Sequence, residues 1–330
     1  MKFKSIIGID VGKKSIEFSL LINGEKKQSG AVENNPKKLT AFLKALNIAF
    51  EDSLFCMEHT GIYNLHLLTV LQKYGANIWL ESSIQIKRSM GMVRGKSDMI
   101  DAYRIAKYAA LHQENAKLWV PDRLVIQHLK VLMRQRFRLV KVKKMIEVPL
   151  SESKGFISKD ELKLIKQNCK STLIGIKKDL DLIDNKIQDI INQDPTLKEL
   201  FTYVSSVPNI GKITATSIII STNEFKKINN AKKFACHAGV APFEYTSGIS
   251  IKGKTRVSHM ADKELKKVLH LATMSSISRP GELRDYFERK VKEGKNKMLV
   301  INAIRNKLIH RVFACVRDQR KYFKKDLTFA

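Results

Sequence analysis

A chain of 330 residues has length for two or three domains with real cores, and its formal net charge of +28, from 60 Lys plus Arg against 32 Asp plus Glu, predicts a polyanionic partner, nucleic acid above all. No run of about 18 apolar residues exists, Asp10 interrupts the opening MKFKSIIGIDVG too early for a secretory signal, and Cys56, Cys169, Cys236 and Cys315 stand far apart with no CxxC pair. These features argue against a membrane span, a structural zinc site and a disulfide framework, and they predict a cytoplasmic protein.

Residues 1–120 read as mixed α/β. Ile6–Ile9, Ile16–Ile22 and Gln28–Val32 have strand length and composition, and Asn23-Gly24 is a two-residue hairpin signal. Pro36–Phe50 is amphipathic, with Leu39, Phe42, Leu43 and Leu46 on one helical face. Leu54–Met57 is a second short apolar run. A helix from about Tyr63 to Tyr74 follows, then a strand at Asn77–Leu80 and a helix at Asp98–Leu111. The order βββαβαβα is that of a ribonuclease H-like domain.

Residues 121–198 are helical in pattern. Leu129, Leu132, Met133, Phe137 and Val140 share one face, while Arg134, Arg136, Arg138, Lys141, Lys143 and Lys144 crowd the other positions. Beyond a break at Pro149 and Gly155, Leu173, Ile176, Leu180, Ile183, Ile187 and Ile190 recur at near-heptad spacing. A long helical hairpin or coiled coil is expected. Residues 199–330 form the third expected domain, mainly helical. Its Pro208-Asn209-Ile210-Gly211-Lys212-Ile213-Thr214-Ala215 resembles the hairpin of a helix-hairpin-helix, where backbone N–H groups can hold a phosphate, the alternative being an ordinary tight turn between packed helices. Helices are expected again near Asp262–Ser276 and Lys297–Tyr322. The charge is uneven: 17 basic against 11 acidic residues in 1–120, and 43 against 21 in 121–330.

Four carboxylates carry the chemistry. Asp10 in IIGIDVGKKS and Glu58 in LFCMEHTGIY each end an apolar strand. Asp98 and Asp101 in VRGKSDMIDAYRIAKYAA are three apart, so they share a helical face. Any one alone is most often a solvated charge, a cap or a salt-bridge partner; the ordered set is what points to a site. Like charges that close repel unless something positive lies between them. Magnesium is the usual hard-oxygen answer, and two ions about 3.5–4 Å apart form the clamp of phosphoryl transfer on nucleic acids. Arg94 and Lys96 near the carboxylates, and Lys212, Lys252, Lys254 and Arg256 further on, are candidate nucleic-acid contacts.

These blocks resemble the DEDD insertion-sequence transposases related to the Piv DNA invertase, a family that includes recombinases guided by a bridge RNA. GIDVGKKS, MEHTGIY and VRGKSDMIDAYRIAKYA match its acidic blocks, and SVPNIGKITA through HAGVAPFEYTSGIS matches its second region. The family's Ile-Ser-Lys-x-Gly-Asn, then Leu-Arg, is here Val257-Ser258-His259-Met260-Ala261-Asp262, then Leu265-Lys266. The resemblance implies a RuvC-like domain at 1–120 and a C-terminal transposase domain at 199–330. It implies Ser247 of the Ser247-Gly248 pair as nucleophile, forming a phosphoserine link to DNA. It also implies a structured guide RNA as partner, and a dimer assembling to a tetramer with a composite site. Other classes fit less well. A sugar kinase or ATPase of the actin type would share GIDVGKKS but needs a second Gly-rich phosphate block. A metal-dependent junction nuclease would use the carboxylates and leave Ser247 a turn residue. A non-catalytic nucleic-acid scaffold would have no use for four intact carboxylates.

Overall fold

Alternating side chains along Ser5–Val11 set up the first half of the molecule. Ile7, Ile9 and Val11 face one way, and Ile6, Gly8 and Asp10 the other. The computed structural model describes residues 3–89, 91, 95, 97–247, 251–258 and 260–323, apart from the side chains of residues 245, 247, 251, 252 and 254. The chain divides into two compact units, Met1–Pro121 and Asp122–Ala330.

In the first unit, β1 (Ser5–Val11), β2 (Ser15–Ile22) and β3 (Glu25–Glu33) form an antiparallel meander. Asn23 and Gly24, with φ of 52° and 87°, make the tight turn between β2 and β3. Helix α1 (Pro36–Ala45) follows, its first turn capped by the Asn35 side chain. It ends earlier than its apolar pattern predicts, because Asn47 takes a left-handed φ of 46°. Then come β4 (Ser53–Glu58), α2 (Leu65–Lys73), β5 (Asn77–Glu81), α3 (Ser83–Ser89) and α4 (Asp98–His112). Strands β4 and β5 run parallel to β1, giving a sheet of order β3-β2-β1-β4-β5. That order, with this mix of directions, is the one expected of a ribonuclease H-like, RuvC-like sheet. One face buries Ile7, Ile9, Phe55 and Met57 against Leu39, Leu43, Leu67 and Leu71 of α1 and α2. The other packs Ile6, Leu54 and Cys56 against Ile105, Ala106 and Ala109 of α4.

The second unit is mostly helical. Helices α5 (Leu124–Glu152) and α6 (Lys159–Gln193) pair antiparallel, with Arg136 Nε donating to Asp184 Oδ1 at 2.6 Å across the pair. A capping box between Ser158 and Glu161 starts α6. The chain continues through α7 (Pro195–Ser205), α8 (Lys212–Thr222) and α9 (Ala231–His237). A two-stranded ribbon, β6 (Pro242–Ser247) and β7 (Ile251–Val257), precedes α10 (Lys263–Ser278), α11 (Glu282–Lys292) and α12 (Lys297–Arg317). Ile126, Leu129 and Met133 of α5 and Ile183, Ile187 and Ile191 of α6 share one buried cluster with Leu269, Ile304 and Phe313. The near-heptad face is therefore consumed at its base by this core, and the two segments form a single unit.

Arg123 fastens that unit at its start. Its guanidinium donates to Glu224 at 2.6 and 3.0 Å and to Asp194 at 2.9 and 3.1 Å, joining the head of α5, the α6–α7 junction and the tail of α8. The Glu224 side chain is 2% exposed. The guanidinium holds the Asp194 carboxyl below its ordinary range. Removing Arg123 would leave the buried Glu224 carboxylate with only Lys226, whose Nζ lies 3.3 Å from Oε2. Arg123→Ala is expected to lower unfolding free energy by about 2–3 kcal/mol, less than a fully buried pair because the arginine is partly exposed. Urea unfolding followed by circular dichroism measures it, and an unchanged midpoint would contradict the assignment.

Candidate active site

Register brings the acids together. Ile9 of β1 lies opposite Met57 of the parallel β4, so Asp10 and Glu58 follow side by side at the ends of adjacent strands. Asp10 is also opposite Glu17 of β2, and Glu58 opposite Glu81 of β5. All four occupy the sheet face that α4 covers. They form a row of carboxylates across β2, β1, β4 and β5. Glu17 and Glu81 did not stand out in the sequence. Glu81 had a usable signal, since IWLE ends a short apolar strand as LFCME does.

Helix α4 adds Asp98 and Asp101 in its first turn, where the helix dipole favours negative charge. Ser97 caps that turn, its hydroxyl accepting from Ile100 N. What seats the helix is Gly8. A Cβ there would lie 2.1 Å from Ala106 N and 2.3 Å from Ala102 O, so only glycine lets α4 rest directly on β1. Asp101 is held by Arg104 at 2.8 Å, and Arg104 also donates to the Gly95 carbonyl at 3.0 Å.

The loops behind the acids are tied down. Asn64, 1% exposed, accepts from Thr60 N and Oγ and donates to the Glu58 carbonyl at 3.0 Å, which shapes the turn of HTGIY. Asn34 donates to the carbonyls of Gly12 and Tyr63 at 2.9 and 3.0 Å. At the far end of the row, Glu81 accepts from Tyr108 Oη at 3.2 Å and from Ser82 N at 2.7 Å. Burial and the neighbouring Glu81 push the Tyr108 hydroxyl up to about 12, so it remains a donor.

The electrostatics follow from the crowding. Burial, then Asp98, Glu58, Asp101 and Glu17, push the Asp10 carboxyl up to about 6. Burial raises Glu58 as well, with Asp101 adding to it and Lys87 of α3 opposing it. Helix α3 was not expected from the sequence, and it supplies this nearby cation. Among the described residues no three Asp, Glu, His or Cys side chains stand close enough to hold one ion. The residues nonetheless fit a hard divalent cation: all donors are carboxylate oxygens, and their mutual repulsion is of the kind such a cation relieves. Arg94 and Lys96 lie outside the described residues. Ser247, in the second unit, ends β6 opposite Ile251; its side chain, like those of Lys252 and Lys254, lies outside the described residues, as does Gly248. Lys212 is the exposed first residue of α8, beyond a Gly211 cap with no side-chain hydrogen bond, and Arg256 is exposed on β7.

A family profile for DEDD transposases of the IS110 type matches residues 7–145, and the profile of the IS116/IS110/IS902 transposase family matches residues 202–288. The two profiles together span well over half of the chain. The chain belongs to the IS110 family of transposases. Pilin gene-inverting proteins of Moraxella bovis and Moraxella lacunata are each 26% identical to this family member over 98% of both chains. The protein of insertion element IS110 from Streptomyces coelicolor is 22% identical over 49% of this chain and 38% of that one. Thermus thermophilus RuvC bound to a Holliday junction substrate aligns with 35% of this chain and 99% of its own, at a TM-score of 0.28 and 14% identity. That likeness adds nothing to the sheet order described above. For this transposase-family chain, no helix among the described residues is long and apolar enough to cross a membrane.

Two outcomes test the site. Gly8→Ala should displace α4 and cost about 3 kcal/mol or more of stability, because the clash is with backbone rather than a movable side chain; a variant as stable as the parent would contradict the close contact. For Asp10, a folded-state value above the ordinary one means the folded state binds the extra proton. Metal-free stability should therefore fall as pH rises from about 4 through about 6 and stay lower above that. Asp10→Asn should gain about 1 kcal/mol at pH 8, discounted for partial exposure, and less at pH 5. Magnesium should stabilise the parent and not this variant, as measured by thermal unfolding with and without the ion.

Proposed function

We propose that this chain is an insertion-sequence transposase that cuts and rejoins DNA through Asp10, Glu58, Asp98, Asp101 and Ser247. The observation that carries this reading is the pairing of β1 with β4, which sets Asp10 and Glu58 side by side on the sheet face covered by α4, the helix whose first turn bears Asp98 and Asp101. Asp10, Glu58, Asp98 and Asp101 would hold magnesium, as one ion or two. When bound, the metal neutralises the crowded carboxylates and draws charge from a phosphate oxygen in the transition state. The protein's part is to fix the oxygen donors on the ends of two strands and one helix, so that little reorganisation remains when substrate arrives.

Ser247 Oγ would attack the phosphorus, lose its proton, and form the new P–O bond as the bond to the departing DNA hydroxyl breaks and that oxygen takes up a proton. The phosphodiester becomes a phosphoserine diester of equal bond type. A DNA hydroxyl attacking it reverses the step and rejoins a strand without an outside energy source. A structured guide RNA and an oligomer built from dimers belong to the same reading. The +28 charge supports the first. The long α5–α6 hairpin supports the second, since Val142, Met145, Val148, Leu164, Ile165 and Ile174 stay exposed along its outer part.

The competing reading is a RuvC-like nuclease in which water attacks. Denaturing electrophoresis after incubation with labelled DNA and magnesium separates the two. The parent should trap a protein–DNA adduct, and Ser247→Ala none. Asp10→Ala should also form none alone, while mixed assemblies of the two variants should recover adduct if one subunit supplies carboxylates and another the hydroxyl. Strand cleavage by Ser247→Ala at parental rate would remove the serine step.

A further inference from the structure

On α12 of the second unit, a buried charge has no opposite charge beside it. Arg305 is 5% exposed. Its guanidinium reaches His270 Nδ1 at 2.6 Å and Asn302 Oδ1 at 3.3 Å, and its buried Nε has no partner among the described residues. No Asp or Glu pairs with it among those residues. The contrast with Arg123 is direct, because there two carboxylates answer one guanidinium. An uncompensated buried cation is costly, and the fold retains one here.

The surroundings are basic as well. A guanidinium only donates, so His270 Nδ1 must accept, which makes the ring neutral with its proton on Nε2. Lys266 stands one turn before His270 on α10. Burial and Arg305 push both Lys266 and His270 below their ordinary values, and burial alone does so for Arg305. Three basic side chains from two helices thus gather with no acid among them. Lys266, His270 and Asn302 are half-buried, so the cluster reaches the surface. It does so at one place in particular. Asn302 Nδ2 donates to the Val240 carbonyl, and a Cβ on Gly239 would sit 3.9 Å from Lys266 Nζ. Residues 239–240 lead directly into β6, the strand that ends at Ser247.

We propose that Arg305, with Lys266 and His270, seats a phosphate group of bound DNA at the root of the β6–β7 ribbon. A phosphate offers several acceptor oxygens and a negative charge, which match the half-buried Lys266 ammonium and His270 imidazole N–H, with the buried Arg305 guanidinium adding its unanswered positive charge behind them. DNA is the source because the cluster adjoins the strand that carries the proposed attacking serine; to that extent the assignment rests on the recombinase reading above.

The test measures binding rather than turnover, so it is independent of the serine step. Anisotropy of a labelled DNA duplex is followed from about 50 to about 200 mM salt for the full-length parent, Arg305→Gln, Arg305→Lys and Lys266→Met. Loss of one phosphate contact should flatten the slope of log K against log salt by about one and weaken binding about tenfold at the low-salt end. Arg305→Gln and Lys266→Met should each show this, and Arg305→Lys should restore the slope. If Arg305→Gln does not fold, Lys266→Met decides alone, since that side chain lies partly in solvent. A parental slope in the folded variants, even with a lowered melting temperature, would make Arg305 a packing residue and overturn the proposal. Flattening seen with single-stranded RNA and not with duplex DNA would overturn the DNA assignment. A parent that binds no DNA at all would overturn both this and the recombinase reading.

Discussion

Everything around the acidic site depends on one backbone-to-backbone contact. Helix α4 rests on β1 at Gly8, where no side chain separates the Ala102 and Ala106 backbone from the strand. A helix ordinarily stands further off a sheet, held away by side chains on both surfaces. Here Ala102, Ala106 and Ala109 keep the helix side small as well, and all three are fully buried. The helix N-terminus consequently comes down at the end of β1, and Asp98 and Asp101 feel the same local field as Asp10. The raised Asp10 carboxyl is the electrostatic expression of a packing choice made two residues earlier in the strand.

Charge is handled differently in the two units. The first concentrates carboxylates and leaves them in tension, with Arg104 and Lys87 as partial relief. The second holds most of the basic excess, yet answers some of it internally, as at Arg123, and leaves some unanswered, as at Arg305. Pairing Arg123 between Asp194 and Glu224 closes a structural junction. Leaving Arg305 without a carboxylate keeps positive potential inside a helical core, where low dielectric strengthens it. The same residue type therefore serves as a clasp in one place and as an open charge in another, and only its neighbours tell the two apart.

Much of the first unit was legible in the sequence because its signals are local. Apolar runs of strand length marked β1 and β2, Asn23-Gly24 marked the turn, and the runs ending at Asp10 and Glu58 marked the strand ends. Glu17 was not legible, because its membership in the acidic row comes from cross-strand register, which no local pattern encodes, and Glu81 was marked only by the short apolar strand that it ends. Helix α3 was missed because SIQIKRS is too short to show a period. In the second unit the heptad-like spacing of α6 was legible, but its partner was not. Periodicity says that a face is buried without saying against what, and Ile183, Ile187 and Ile191 turned out to pack into the core shared with α10 and α12. Arg305 gave no signal at all, since an arginine in an amphipathic helix reads as surface.

The ribbon formed by β6 and β7 belongs to no larger sheet. No residue between Pro242 and Val257 joins the buried cluster among those described, and Phe243 stays half exposed. Two strands alone have little folding free energy of their own. Among the described residues no further strand pairs with either outer edge, and such edges present backbone donors and acceptors to any surface with complementary groups. The strand that ends at Ser247 is tied at its root, by the Val240 carbonyl accepting from Asn302. On the recombinase reading proposed above, that strand would be aligned by the nucleic acid laid against it, and a poorly matched duplex would be refused through loss of order rather than through loss of contact.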